Sequence, residues 1–176
     1  MAKPAHPPAD VTHALAPEEA LARARAVAAA VVDPEIPVLT LEDLGILRSV
    51  NMHEGRIIVE LTPTYTGCPA TLAIRLAVET ALAAAGLNQA EVVTQLSPPW
   101  STDWITETGR RKLKDFGIAP PARRTAGNAL FEDAVVACPR CGSTTTRKIS
   151  EFGSTACKAQ WRCEVCREPF DYFKCI

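Results

Sequence analysis

Two Cys-x₂-Cys pairs, CPRC at 138–141 and CEVC at 163–166, stand 21 residues apart near the end of a 176-residue chain. A two-residue knuckle points both sulfurs at one cation, and a second knuckle completes a tetrahedron at about 2.3 Å per bond. The gap slightly exceeds the roughly 15–20 residues usual between the pairs of such sites. A segment of about 40 residues buries too little apolar surface to fold alone, so metal binding would supply much of its folding free energy. Cys138, Cys141, Cys163 and Cys166 are therefore the expected metal ligands. Zinc is the expected metal, with an iron–sulfur cluster as the alternative, since thiolates hold both. Cys157 and Cys175 are surplus to one four-ligand site. Cys157, in FGSTACKA, is the better candidate for a further ligand or an exchangeable thiol; Cys175, after PFDYF, reads as packed.

The compartment decides how the cysteines are read. No apolar run reaches the roughly 18 residues needed to span a bilayer. The stretch 20–32 comes nearest, but Arg23 and Arg25 interrupt it. The first residues lack the apolar core and cleavage site of a secretory signal. A cytoplasmic protein is expected, away from membranes, where thiols stay reduced and favour metal over disulfide chemistry. A formal net charge of −1 gives no global attraction to nucleic acid. The terminal module holds seven Lys and Arg against four Asp and Glu, but a four-thiolate zinc site itself carries about −2. Nucleic acid is not an expected partner, and RRKLK with Arg123 and Arg124 reads as a solvated face.

Residues 1–16, rich in Pro and Ala, are expected to be a flexible tail. Pro17 suits a first helical position, with Glu18 and Glu19 against the positive end of the helix dipole. Leu21, Ala24, Ala28 and Val31 form a stripe at helical spacing, and Pro34 must end the helix near Asp33. DPEIPVLTLEDLG (33–45) reads as a turn-rich connector. ILRSV (46–50) and RIIVELT (56–62) predict a hairpin around Gly55. A helix is expected over 69–85, with Leu72, Leu76, Val78 and Leu82 on its apolar face and Gly86 as its stop. EVVTQLS (91–97) reads as a third strand. A last helix should begin at Thr102 as N-cap, carry Trp104, Ile105, Leu113 and Phe116, and end at Gly117. Trp100 and Trp104 are expected to be core anchors. The chain then divides into a tail (1–16), an α/β (α+β) domain with a short mixed sheet (17–121), a linker (122–134) and a four-cysteine module (135–176).

Cys68 stands apart, in TPTYTGCPA (62–70). With Pro69 at N1, Cys68 would be the N-cap of the second helix, where backbone N–H groups and the dipole favour thiolate. It could equally be a small apolar cap packed under the sheet.

DPEIPVLTLEDLG, TPTYTGCPA and LSPPWSTDWI (96–105) together resemble the MIP18 family, also called DUF59. CPRCGS, ISEFGSTACKAQWRC and EPFDYFKCI resemble its PaaD-like branch, which ends in a zinc-ribbon-like module. The resemblance covers about residues 17–176. It implies a role in iron–sulfur cluster assembly, with Cys68 as the functional thiol and Asp33 and Glu35 in the other signature segment. It also implies a transient iron or iron–sulfur cluster at Cys68, although Asp33 and Glu35 could simply shape the turn. For PaaD-like members the implied role is accessory and non-catalytic. They would help load iron or clusters into a multicomponent phenylacetyl-CoA monooxygenase (epoxidase) of aerobic phenylacetate degradation. Expected partners are its oxygenase or reductase components, iron–sulfur assembly proteins, and a second copy in a homodimer. The alternative is a stable subunit of that monooxygenase carrying a metal or iron–sulfur site.

Overall fold

The computed structural model describes residues 16–121 and 135–174. The expected tail (Ala16 aside), the linker 122–134 and Cys175 lie outside the described residues. Helix α1 (Pro17–Ala30) opens on Pro17 with Glu18 and Glu19 in its first turn. Its stripe buries Ala24 and Ala28, with Leu21 and Val31 packed beside them. The connector that follows is more ordered than its turn residues suggest. Val32 bridges Thr40, and a short helix α2 (Leu41–Leu44) begins at Thr40. Thr40 and Asp43 form a reciprocal capping box, each side chain accepting the other's backbone N–H. Gly45 ends α2 at φ 67°. A Cβ there would lie 2.5 Å from the Trp104 carbonyl oxygen, so glycine is required by both conformation and space.

Strands β1 (Leu47–His53) and β2 (Arg56–Leu61) form the expected hairpin, longer on its first arm. Glu54 and Gly55 both take positive φ, as a two-residue primed turn requires. Helix α3 (Thr71–Ala84) crosses back to β3 (Glu91–Thr94), which pairs parallel to β2. The sheet order β1-β2-β3, one antiparallel and one parallel pair, is the short mixed sheet expected.

Two helix assignments need correction. The buried row of α3 is Ile74, Val78 and Leu82, while Leu72 and Leu76 are 75% and 60% exposed. They lie two residues from that row, about 200° around the helix. The last helix, α4 (Glu107–Asp115), is capped by Thr106, whose hydroxyl accepts the Gly109 N–H. Thr102 starts only a 3₁₀ turn, because Ile105 is extended and breaks the run. Phe116 caps α4 and is exposed.

The cysteine-rich region is a sheet of β4 (Ile118–Ala119), β5 (Thr146–Ser150), β6 (Lys158–Cys163) and β7 (Pro169–Phe173) in the order β4-β7-β6-β5. Its first strand comes from before residue 122 and pairs parallel to β7, so the ribbon is joined to the α/β part by backbone hydrogen bonds. The cores join as well. Cys157 and Phe173 belong to the apolar cluster that holds Leu44, Cys68, Ile74 and Leu113. Trp100 packs against Phe173 with ring centroids 6.0 Å apart, and its indole N–H donates to the Leu44 carbonyl. Trp104 lies under the Arg48 guanidinium, 3.5 Å from its ring centre. Both tryptophans are anchors. No helix among the described residues is long and apolar enough to cross a membrane.

Candidate functional site

Thiols gather in two places. In the ribbon, the knuckles of Cys138 and Cys141 and of Cys163 and Cys166 bring all four sulfurs within 4.8 Å of one another. Cys138 and Cys166 are 3.7 Å apart, Cys141 and Cys163 3.6 Å. A tetrahedron with bonds of about 2.3 Å has edges of about 3.8 Å, so the donor set fits one tetrahedral metal ion. The knuckle backbone contributes too. N–H groups of Cys166 and Val165 aimed at the Cys163 sulfur bring that thiol down to about 7, while, against the Glu168 N–H, burial and the other three sulfurs push the Cys166 thiol up to about 12. Cys157 is not among these four. An added-ligand role for it at this site is not what the geometry supports.

The second place is a narrow, mostly enclosed pocket where ribbon and α/β part meet. Asp33, Glu35, Thr64, Cys68 and Cys157 line it over an apolar floor that includes Ile36, Ile74 and Phe173. Cys68 does not cap α3. That helix begins at Thr71 after Ala70, with no side-chain cap. Pro69 and Ala70 form a turn, and only the Cys68 carbonyl serves the helix, accepting the Thr71 N–H at 3.1 Å. Cys68 lines the pocket instead and is 9% exposed as a residue.

Asp33 and Glu35 both line this pocket, with different contacts. Asp33 Oδ1 accepts the backbone N–H groups of Glu35 and Ile36, each at 2.8 Å, an Asx turn that shapes the loop. Burial raises its pKa in spite of those bonds and of nearby Lys158. Glu35 reaches into the pocket, with Oε2 3.7 Å from the Cys157 sulfur. Burial also raises the Cys157 thiol, offset in part by Thr155 at 3.0 Å and reinforced by the Glu35 charge.

Tyr65 is the residue sequence reasoning passed over. Burial and its contact with Cys68 push the phenol up to about 12, with Glu35 and Cys157 adding smaller effects of the same sign. Its place three residues before Cys68, in TYTGC, was the available signal. Among the described residues, the ribbon thiols are the only group of three or more Cys, His, Asp or Glu whose ligand atoms already converge. The Cys68 pocket brings thiol and carboxylate side chains to one cavity without that convergence.

Residues 22–94 match the family described as iron–sulfur cluster assembly protein, and residues 122–174 match the PaaD zinc beta ribbon domain. The chain is 51% identical over 144 residues to a protein of Escherichia coli (strain K12) provisionally named as a subunit of 1,2-phenylacetyl-CoA epoxidase. That alignment covers 82% of this chain and 86% of its relative. A crystal structure of a DUF59 domain from Bacillus anthracis superposes with a TM-score of 0.50 at 27% identity, covering 55% of this chain and 92% of that one.

Proposed function

The chain belongs to the PaaD family, joining an iron–sulfur cluster assembly domain to a zinc beta ribbon, and on that premise we propose that it is a maturation factor for a phenylacetyl-CoA epoxidase. Its work is to deliver iron or an iron–sulfur cluster to an oxygenase or reductase component. The observation that carries this is the contrast between its two thiol sites. Four ribbon sulfurs converge as a permanent site would, whereas Cys68 shares an enclosed pocket with Glu35 and Cys157. Fewer than four preset protein ligands leaves coordination positions through which a client can take the cargo.

Zinc is the resident ribbon metal in this reading. Sulfur separations of 3.6 and 3.7 Å support a single ion; a cluster spreads its thiolates over several irons. Bound there, the ion would fix both knuckles and hence the strands between them. The chain has no catalytic activity of its own in this account.

The test is to co-produce the epoxidase components with wild-type chain or with Cys68→Ser, then measure their iron content and activity. The variant should lower both at least tenfold; unchanged loading overturns the transfer role. A second reading, a permanent component of the epoxidase, is favoured by the name its relative carries. It predicts co-purification in fixed stoichiometry with a reducible chromophore.

A further inference from the structure

We propose that Cys157, supplied by the ribbon, is a second sulfur donor to the cargo at Cys68. The ligand is a thiophilic divalent cation, ferrous iron in its physiological form, held between two thiolates with Glu35 as oxygen donor. This inference rests on the transfer role above and deepens it.

Cys157 is left over from the four-sulfur ribbon site, yet it is buried at 4% exposure and lines the same pocket as Cys68. Cys157 packs in the apolar cluster with Cys68 and Phe173, yet its sulfur also has polar neighbours that a purely packing cysteine, a small apolar group, does not need. The Glu35 carboxylate lies 3.7 Å from its sulfur and the Thr155 hydroxyl 3.0 Å. Two sulfurs and one carboxylate form a mixed donor set that suits iron, with at least one position open to water or a client ligand. Both thiols lose their protons to solvent as the cation binds.

The ribbon's role follows from where Cys157 sits. Strand β6 spans Lys158–Cys163, so it begins directly after Cys157 and ends on a ribbon ligand. The Cys157 carbonyl accepts the Lys174 N–H at 2.9 Å, just beyond β7. The permanent metal thus holds the strand that presents the cargo thiol.

The experiment uses the full chain, purified anaerobically with one zinc per molecule, and titrates it with cobalt(II). X-ray absorption counts sulfur neighbours of the added cobalt, and thiolate-to-cobalt charge-transfer absorption follows binding. The wild type should show two sulfurs on the added cobalt, with zinc retained. Cys157→Ser and Cys68→Ser should each leave one sulfur. Losing an outer partner alone weakens a metal about 10- to 100-fold, so losing either thiol should weaken cobalt more than tenfold. One sulfur in the wild type, or release of zinc by cobalt, overturns the proposal and needs no variant to fold. Should Cys68→Ser lose binding while zinc-filled Cys157→Ser keeps it unchanged, this inference fails and the transfer role stands. Binding unaffected by either substitution removes both.

Discussion

At the level of single residues, Asp33 and Cys157 show what a sequence reveals and what it hides. Asp33 before Pro34 marks a turn, and its carboxylate does close one on the N–H groups of Glu35 and Ile36. The cost of burying it was not legible, because Lys158 and the covering ribbon come from far along the chain. Folded-state pKa is raised, so the Asp33 contribution to stability is fully present below the unfolded pKa and lost as pH rises through the folded one. Asp33→Asn keeps the Oδ1 acceptor and removes the buried charge. It should be at least as stable as wild type at neutral pH, and its stability should vary less between about pH 4 and 7. Denaturant melts across that range check this; destabilisation by more than about 1 kcal/mol at pH 7 would contradict it. Cys68 was recognisable from its setting, but its capping role was not real, because Pro69 and Ala70 form a turn before the helix starts. Cys157 and Glu35 meet across 122 residues of chain, a separation no local pattern encodes.

At the level of elements, the hairpin, α1 and the mixed sheet follow from period and turn chemistry, while α2 and the start of α4 do not. LTLEDLG holds a complete capping box, Thr40 with Asp43, hidden among turn-forming neighbours. STDWITET offers two threonine caps, and the second is used because Thr106 also binds α2. Its N–H donates to the Asp43 carbonyl at 2.9 Å, while Lys112 pairs with the Asp43 carboxylate at 2.6 Å. Burial opposes the Asp43 charge, but Lys112 and Thr40 outweigh it and hold the carboxyl below its usual range. The two helices touch at Gly109, where a Cβ would lie 2.6 Å from the Asp43 carbonyl oxygen. Gly109→Ala therefore sets two effects against each other. Helix propensity favours alanine by up to about 1 kcal/mol, while forcing backbone apart in a packed contact costs about 1–3 kcal/mol. The clash should win, lowering stability by about 1–2 kcal/mol in a urea melt; a stabilised variant would show that the helices part freely.

At the level of the whole molecule, the cysteine layout sets the ribbon thiols apart from Cys68 but does not show how the two regions join. Pairs at fixed spacing announce a metal ribbon, and an isolated Cys68 announces something else. Parallel pairing of β4 with β7 and the burial of Phe173 beside Trp100 depend on surfaces made only by the folded chain. They bring the ribbon over the Cys68 pocket, with Cys157 as part of its wall. The central claim is that one metal stays and another leaves. It is tested most directly by incubating the iron-loaded chain anaerobically with metal-free oxygenase and reductase components, separating them, and counting iron and zinc on each. Iron should pass to a component while zinc remains at one per chain, and Cys68→Ser should transfer at least tenfold less. Iron that stays on the chain, while the chain itself migrates with the components in fixed ratio, would contradict the account and make it a permanent part of the epoxidase.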